Sequence, residues 1–195
     1  MELSILQLDA LKELINIGVG NGANLLNQIL KQSIILSTID VSIVDVTELN
    51  TVTCFDNNAS TVLMSFDGQL TGKAKLIFPN NDALRLLDLI APWINIDTSI
   101  GQVKKNVLME VGNIVINGVI GSISNALKIT SNYSLPQYYQ GDIMSQFKSS
   151  VSGTVILANT QYEIESHEIK GSLLIFLEVN SFQTLSHLLD NSFTT

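Results

Sequence analysis

The sequence predicts an α/β protein of the α+β type, in which long helices pack on a largely antiparallel sheet around a pseudo-twofold internal repeat. Two observations lead to this class. A long helical pattern occurs twice at an offset of 97 residues, and each copy precedes short strand-like runs at hairpin spacing. Because strands and helices do not alternate one by one, a doubly wound parallel sheet is not expected.

The first helix includes residues 13–30, where apolar residues recur at three- and four-residue steps. It contains Gly18, Gly20 and Gly22, although each glycine costs a helix about 1 kcal/mol relative to alanine. We expect Gly18 and Gly22 to let the helix approach the sheet closely. Gly20 lies on the polar side, where a missing side chain would leave room for a partner's backbone. The predicted buried face comprises Leu8, Leu11, Ile15, Val19, Gly22, Leu26 and Ile29.

Strand-like runs follow at 33–46, 60–66 and 69–78. The last two are joined at Asp67 and Gly68, a dipeptide that is typical of a hairpin turn. Residues 80–92 then predict a helix that is capped by Asn80 or Asn81 and stopped by Pro92.

The second half has the same order of elements. A helix over 101–129, which Thr98 or Ser99 could cap, precedes a loop-like stretch at 130–142. Strands are predicted at 151–158, 161–169 and 171–179, and a last helix at 181–190. Strand segments of the two halves align at an offset near 99. We therefore predict a single domain over 1–195, with repeat one at about 3–93 and repeat two at about 99–190.

Composition narrows the class of partner. The formal charge is −8 and no basic cluster occurs, so nucleic acid is excluded as a partner and an anionic membrane surface is disfavoured. Cys54 is the only cysteine, so no internal disulfide forms. The first ten residues lack the positive region of a signal peptide, and no apolar run reaches the roughly 18 residues of a membrane span. These features predict a cytoplasmic protein without membrane insertion.

A pair of polar residues recurs in the two long helices. At the offset of 97, Glu13 aligns with Glu110 and Asn16 aligns with Asn113. A polar stripe on so apolar a helix must meet water, a buried partner or another molecule. One Glu-x-x-Asn pair is typical of an ordinary solvated face, and its repetition leaves that interpretation and a functional site equally supported. The full stripes are Asp9, Glu13, Asn16 and Gly20 in the first helix, and Asn106, Glu110, Asn113 and Asn117 in the second.

These stripes resemble the signature of the CheC/CheX/FliY phosphatases of bacterial chemotaxis. That signature is Asp or Ser, three residues, Glu, two residues, Asn, then about 22 residues and Pro. Two copies are similar to CheC or FliY, and the chain lacks the flagellar-switch domain that follows in FliY, so CheC is the most similar member. The matching positions are Asp9, Glu13, Asn16 and Ile39 in the first copy, and Asn106, Glu110, Asn113 and Pro136 in the second.

Two of these positions depart from the signature. Ile39 stands where the first copy would have Pro, and Asn106 stands where the second would have Asp or Ser. The activity of each site is therefore left open by the sequence.

The resemblance implies a phosphatase, a hydrolase that acts on the phosphoaspartate of a CheY-like response-regulator receiver domain in two-component signalling. Asn16 and Asn113 would position the attacking water, because an amide offers an acceptor and donors in one fixed plane. Glu13 and Glu110 would dock the receiver by engaging its active-site lysine. The receiver would supply Mg²⁺, so we expect no cofactor and no metal on this chain.

The main alternative is a non-catalytic chemotaxis adaptor that binds a CheD-like deamidase or a phospho-receiver. An adaptor would be free to lose the glutamates and asparagines, so their presence in both copies favours catalysis. A structural flagellar-switch component is a third interpretation, which the absence of the additional domain disfavours.

Other chemistries have weaker support. Glu163, Glu165 and His167 would alternate onto one strand face, but with no second histidine nearby in sequence a metal site is disfavoured. His187 and Cys54 form no recognisable nucleophile motif. The run GVGNG lies inside a helical pattern, so it is neither a dinucleotide fingerprint nor a phosphate-binding loop.

Overall fold

The computed structural model describes residues 3–30, 33–45, 48, 59–90, 100–141, 154–164 and 167–192. Those residues form four helices and seven strands in an α+β arrangement, which confirms the predicted class. The elements are α1 (Ile5–Leu30), β1 (Ile34–Asp45), β2 (Ala59–Gly68), β3 (Gly72–Pro79), α2 (Asn80–Ile90), α3 (Ile100–Ala126), β4 (Ser131–Tyr133), β5 (Gln137–Gly141), β6 (Thr154–Ile164), β7 (His167–Leu177) and α4 (Val179–Ser192).

The strands form one sheet in the order β1-β6-β7-β3-β2-β4, with β5 also paired to β2, and every pairing is antiparallel. The halves are interleaved, because β1 of the first half pairs with β6 of the second. At the centre β3 pairs with β7, and Lys75 lies opposite Leu174, which is 99 residues further along. This separation is close to the offset between the strand repeats, as expected if the predicted pseudo-twofold passes between the two central strands.

All four helices share one hydrophobic core with one face of the sheet. Side chains alternate along β3, so that Ala74, Leu76 and Phe78 face this core while Ile77 faces the opposite side. The opposite face carries a smaller buried cluster. Its members are Val44, Ala59, Ile77, Val155, Leu157, Leu174 and Phe176.

The helices α1 and α3 meet backbone to backbone. A Cβ at Gly18 would lie 2.4 Å from the Cα of Val119, and one at Gly118 would lie 2.7 Å from the carbonyl oxygen of Gly18. A Cβ at Gly22 would lie 3.3 Å from the Cα of Val115. The prediction that Gly18 and Gly22 approach the sheet is therefore wrong: they approach α3. The position of a glycine on the helical wheel shows that another element comes close to it, but it does not show which element that is.

The glycine that brings a helix close to the sheet is Gly112 of α3. A Cβ there would lie 2.5 Å from Cγ1 of Val62 in β2. The predicted buried face of α1 is confirmed at most positions, but Ile29 in the last turn is 56% exposed. Helical periodicity assigns a residue to the apolar face of the helix. It does not show how far along the helix that face is covered by other elements.

The first turn of α1 is fixed by a capping box. Ser4 Oγ accepts from Gln7 N at 3.2 Å, and Gln7 Oε1 accepts from Ser4 N at 2.8 Å. The buried amide of Gln7 also donates from Nε2 to Oδ1 of Asp190 at 2.8 Å and to the carbonyl oxygen of Ser186 at 3.1 Å. One side chain thus caps α1 and attaches it to α4.

Two strand predictions are wrong. The segment 130–142, predicted as a loop, contains β4 and β5, which pair with β2. The segment 161–169, predicted as one strand, is divided between β6 and β7, where Glu163 lies opposite Glu168. Both segments are rich in polar side chains, and backbone pairing with a neighbouring strand is not encoded in side-chain periodicity.

The predicted hairpin between β2 and β3 is confirmed: its last pair is Phe66 with Gly72, and Asp67 and Gly68 begin the five-residue connection without forming a two-residue turn. Both belong to β2, because Asp67 pairs with Asn132 and Gly68 pairs with Ser131 of β4. Gly68 has a φ of 138°, and a Cβ there would lie 2.4 Å from the carbonyl oxygen of Thr130. This position therefore requires glycine for a reason other than a two-residue turn.

The start of α2 at Asn80 agrees with the predicted cap, and Lys104 Nζ donates to Asn80 Oδ1 at 2.9 Å. Pro92, Thr98, Ser99 and Cys54 lie outside the described residues.

By length and composition α3 could span a membrane between Gln102 and Ala126, but 61% of its most apolar stretch is buried inside the protein. It is a core helix, packed on α1 and on the sheet.

The close contact of α1 with α3 predicts opposite effects at two neighbouring glycines. Gly18→Ala would place its Cβ against backbone, so we expect it to lower the free energy of unfolding by about 1–3 kcal/mol. Gly20→Ala is the matched control, because its Cβ would meet no heavy atom within 4 Å. This control should raise stability by about 0.5–1 kcal/mol through helix propensity. Urea unfolding measures both, and equal effects would contradict the assigned contact.

Lys75 is buried on the second face of the sheet. It is 8% exposed, and its Nζ lies 5.4 Å from the ring centroid of Phe176. Burial, with a contribution from the positive charge of Lys73, lowers the pKa of Lys75 from 10.5 to about 8. Between these two pH values the folded state therefore binds fewer protons than the unfolded state.

The pKa of Lys75 predicts a pH-dependent stability. Because the unfolded state binds more protons between about pH 8 and 10.5, stability from this residue rises with pH across that window. Lys75→Met removes the titration, so its stability relative to wild type should be greatest below pH 8 and should shrink as pH rises. Urea unfolding at several pH values measures this difference. Parallel pH curves for the two proteins would contradict the lowered pKa.

Candidate functional site

The predicted polar stripe of α1 lies on the surface. Asp9, Glu13 and Asn16 are exposed, and Gly20 is partly exposed with open space where a side chain would stand. Within the described part of the chain, no side-chain hydrogen bond involves Asn16. This stripe therefore presents a free carboxylate and a free amide, three residues apart, to the solvent.

The stripe of α3 is more enclosed. Asn106 and Glu110 are exposed, whereas Asn113 and Asn117 are half-buried. Gln102 Nε2 donates to Oδ1 of Asn106 at 3.3 Å. Asn117 Nδ2 donates to Oδ1 of Asn113 at 2.9 Å, one helical turn away. The amide of Asn113 is thus held by a neighbour, unlike that of Asn16.

The two stripes form two separate sites. The contacts of Gly18 with Val119 and of Gly22 with Val115 show that α1 and α3 run antiparallel where they cross. The offset of 97 converts Gly18 into Val115 and Gly22 into Val119, so the same repeat relation exchanges these contacts. Glu13 and Asn16 precede the crossing on α1, as Glu110 and Asn113 do on α3. The antiparallel crossing therefore places the two pairs on opposite sides of it.

The position of the signature proline is a β-bulge in both halves. In β1 the register shifts between Thr38 and Asp40, so residue 39 is an extra residue opposite β6. In the second half, Phe66 pairs with Tyr133 but Leu63 pairs with Gln137, so three residues stand opposite two. Pro136, the last of those three, is the residue that the offset of 97 relates to position 39.

A proline fits such a bulge because it has no N–H to donate to the ladder. The departure at Ile39 therefore leaves the bulge in place: the first half keeps the backbone feature without the proline. The difference is that β1 remains one strand, whereas the second half is divided into β4 and β5.

The segment 134–136 borders the second site. Gly112 of α3 lies against Val62, which pairs with Tyr138, and the nearest atom to a Cβ at Gly121 is the hydroxyl of Tyr133 at 3.9 Å. The loop from 134 to 136 therefore runs beside the part of α3 that carries Asn113 and Asn117. Its tip, Leu135, is 85% exposed, which makes it an apolar side chain at the edge of the site.

That loop is firmly held by hydrogen bonds. Ser134 N donates to the carbonyl oxygen of Ser65 at 2.9 Å, and Ser65 N donates to Ser134 Oγ at 2.9 Å. Asn132 Nδ2 donates to Oδ1 of Asp67 at 2.9 Å. Polar side chains that the sequence suggested for a loop thus fix the edge of the sheet beside the second site.

The structure offers little support for a metal site in the residues it describes. Among them no group of three or more His, Cys, Asp or Glu side chains lies together. The proposed strand face is wrong in its premise, since Glu163 belongs to β6 and His167 begins β7, while Glu165 lies outside the described residues. His187 is exposed on α4.

Sequence reasoning missed three features at or near the site. The contact role of Gly118 had a signal, because it is a third small residue at the crossing of the two repeated helices. The bond between Asn117 and Asn113 also had a signal in their four-residue spacing on one helix face. Leu135 had no signal in the sequence, because the exposure of a single leucine depends on the tertiary structure alone.

Comparison with known proteins identifies solved structures that have a similar fold. No family model and no curated protein matches the sequence. Thermotoga maritima FliY is 19% identical over 98% of this chain and 100% of that chain, with a TM-score of 0.79. A chain of the FliM-SpeE complex from H. pylori is 13% identical over 98% of both chains, with a TM-score of 0.73.

A third similar structure is a complex of two named proteins. It is the CheX-CheY-BeF3-Mg²⁺ complex from Borrelia burgdorferi, 14% identical over 86% of this chain and 99% of that chain, with a TM-score of 0.56. The chain therefore has the fold of CheC/CheX/FliY-type chemotaxis proteins, and the resemblance found in the sequence is confirmed as a resemblance of fold.

Proposed function

We propose that this protein is a phosphatase that hydrolyses the phosphoaspartate of a CheY-like receiver domain. The observation that carries the proposal is the Glu and Asn pair, which occurs twice on helices related by the internal repeat. Both glutamates and Asn16 are exposed, and Asn113 is half-buried. The fold supports it, because a CheX chain of the same fold is found in a complex with CheY, BeF3 and Mg²⁺. Under this proposal the protein acts in the cytoplasm.

The proposed hydrolysis requires few functional groups on this protein. An aspartyl phosphate is a reactive acyl phosphate, and the receiver supplies Mg²⁺ to neutralise the phosphoryl charge. What remains is to place a water in line with phosphorus, and phosphoryl transfer depends mainly on such positioning and on electrostatics. A hundredfold acceleration corresponds to about 2.7 kcal/mol of barrier, which is within reach of one oriented water.

Each Glu and Asn pair has the functional groups for this task. The amide oxygen of Asn16 or Asn113 accepts a hydrogen bond from the water, which leaves a lone pair of the water oxygen directed at phosphorus. The carboxylate of Glu13 or Glu110, about one turn away, pairs with the receiver's active-site lysine and fixes the partner's position. The open space at Gly20 gives the receiver's backbone a close approach in the first site.

A binding module without hydrolysis is the second candidate. The TM-scores with FliY and FliM chains, 0.79 and 0.73, exceed that of 0.56 with CheX, and one of these neighbours is a FliM complex. Under this candidate the same stripes dock a phospho-receiver or a CheD-like deamidase. The two candidates differ in one observable, which is the lifetime of the phosphoaspartate.

Asparagine variants test catalysis. We expect wild type to accelerate the decay of a phosphorylated CheY-like receiver, and Asn16→Ala together with Asn113→Ala to reduce that acceleration about 10- to 100-fold. Receiver affinity should be nearly unchanged, since the amides position water. Asn24→Ala and Asn125→Ala are matched controls, because both are exposed helical asparagines outside the stripes. Wild type that binds phospho-receiver without shortening its lifetime would favour the binding module instead.

Glutamate variants test docking. Glu13→Ala together with Glu110→Ala removes the carboxylates that engage the receiver's lysine, so we expect the dissociation constant for the receiver to rise about tenfold. The wild-type affinity should weaken with ionic strength, and the variant should lose most of that dependence. Titration of a labelled receiver at several salt concentrations measures both effects. An unchanged affinity would show that these glutamates do not dock the partner.

A further inference from the structure

The two sites have the same main residues but different neighbours at one position. The offset of 97 relates Gly20 of α1 to Asn117 of α3. Asn117 donates from Nδ2 to Oδ1 of Asn113 at 2.9 Å, whereas Gly20 offers nothing to Asn16. We infer that Asn117 is a positioning residue, which pre-orients the Asn113 amide and makes the second site the faster of the two. The inference rests on the proposed function.

The bond from Asn117 leaves Asn113 able to work. An amide oxygen has two lone pairs, and Asn117 occupies only one of them. The second lone pair can still accept a hydrogen bond from the attacking water, and both Nδ2 hydrogens of Asn113 remain for a phosphoryl oxygen. Since Asn113 is also half-buried, its side chain is held in one orientation before the receiver docks.

Asn16 lacks this restraint. Its side chain is exposed, and the space beside it at Gly20 is open. Its rotations must be lost when the water is positioned, which reduces the rate by about 3- to 10-fold relative to a pre-oriented amide. Gly20 compensates in another way, because it leaves room for the partner's backbone.

Asn117 is expected to lower the stability of the fold, because it places a polar side chain on a helix that is otherwise so apolar. Its Oδ1 is buried and has no hydrogen-bond partner among the described residues. A buried acceptor without a partner destabilises a fold, so packing does not explain an amide here. The bond to Asn113 does explain it. As a consequence, replacing Asn117 by alanine should leave stability unchanged or raise it.

The first experiment isolates the second site. In an Asn16→Ala background, Asn117→Ala should lower the maximal rate of phosphoaspartate decay about 3- to 10-fold while the receiver concentration at half-maximal rate stays constant. The melting temperature should stay the same or rise. A loss of rate together with retained stability separates positioning from a merely structural role.

The reciprocal experiment transfers the device to the first site. In an Asn113→Ala background, Gly20→Asn should give a maximal rate about 3- to 10-fold above that of Gly20→Ala, because the new amide lies four residues from Asn16 as Asn117 lies from Asn113. A Cβ at residue 20 meets no heavy atom within 4 Å, so the helix accepts the change. Gly20→Ala is the control, since it fills the open space without supplying a donor and should not raise the rate.

A measurement that does not depend on activity completes the test. The side-chain amide of Asn113 should have a higher NMR order parameter than that of Asn16, and Asn117→Ala should lower it to a similar value. If the Asn16→Ala protein accelerates decay and Asn117→Ala changes neither its rate nor the order parameter, the inference is overturned. If wild type does not accelerate decay at all, the proposed function fails together with the rate difference, and the order parameter alone decides whether Asn117 positions Asn113.

Discussion

The close approach of α1 and α3 is the constraint on which the rest of the structure depends. Gly18 and Gly118 bring the two backbones together at a distance that no side chain could occupy. This contact and the sheet bury the apolar faces of both helices, so the Glu and Asn stripes remain at the surface. The same contact is symmetric under the repeat, so one packing solution produces two sites that lie on opposite sides of the crossing.

The repeat preserves the backbone of the sites more strictly than their side chains. Both halves have a one-residue bulge at the same place, although one has Ile39 and the other Pro136. A bulge is required by register, whereas proline is only one residue that tolerates it. Four residues after the asparagine of each pair, the two helices differ in chemistry, with Gly20 in one and Asn117 in the other. Two equivalent scaffolds therefore surround their asparagines with different side chains.

Much of the fold was predictable because its signals are local. The long helices and the strands β2 and β3 have strong apolar periodicity, and repetition of the pattern revealed the pseudo-twofold. The edge strands β4 and β5 were not predictable, since they are polar and form through backbone hydrogen bonds to β2. The strand predicted over 161–169 failed for a related reason: its residues are divided between two strands that pair through their backbones, and similar polar side chains such as Glu163 and Glu168 stand on both of them.

For the candidate site, the sequence by itself determined the residue types and their spacing: a glutamate and an asparagine three apart, twice, on helices with one apolar face. Helix geometry fixes such spacing within a single element, so it can be read along the chain. Only the tertiary structure decided that Gly18 and Gly22 meet α3 and not the sheet, that Leu135 stands beside the second site, and that the two asparagines have different surroundings. Those facts depend on contacts between elements distant in sequence, and such contacts are set by the packing of the whole chain.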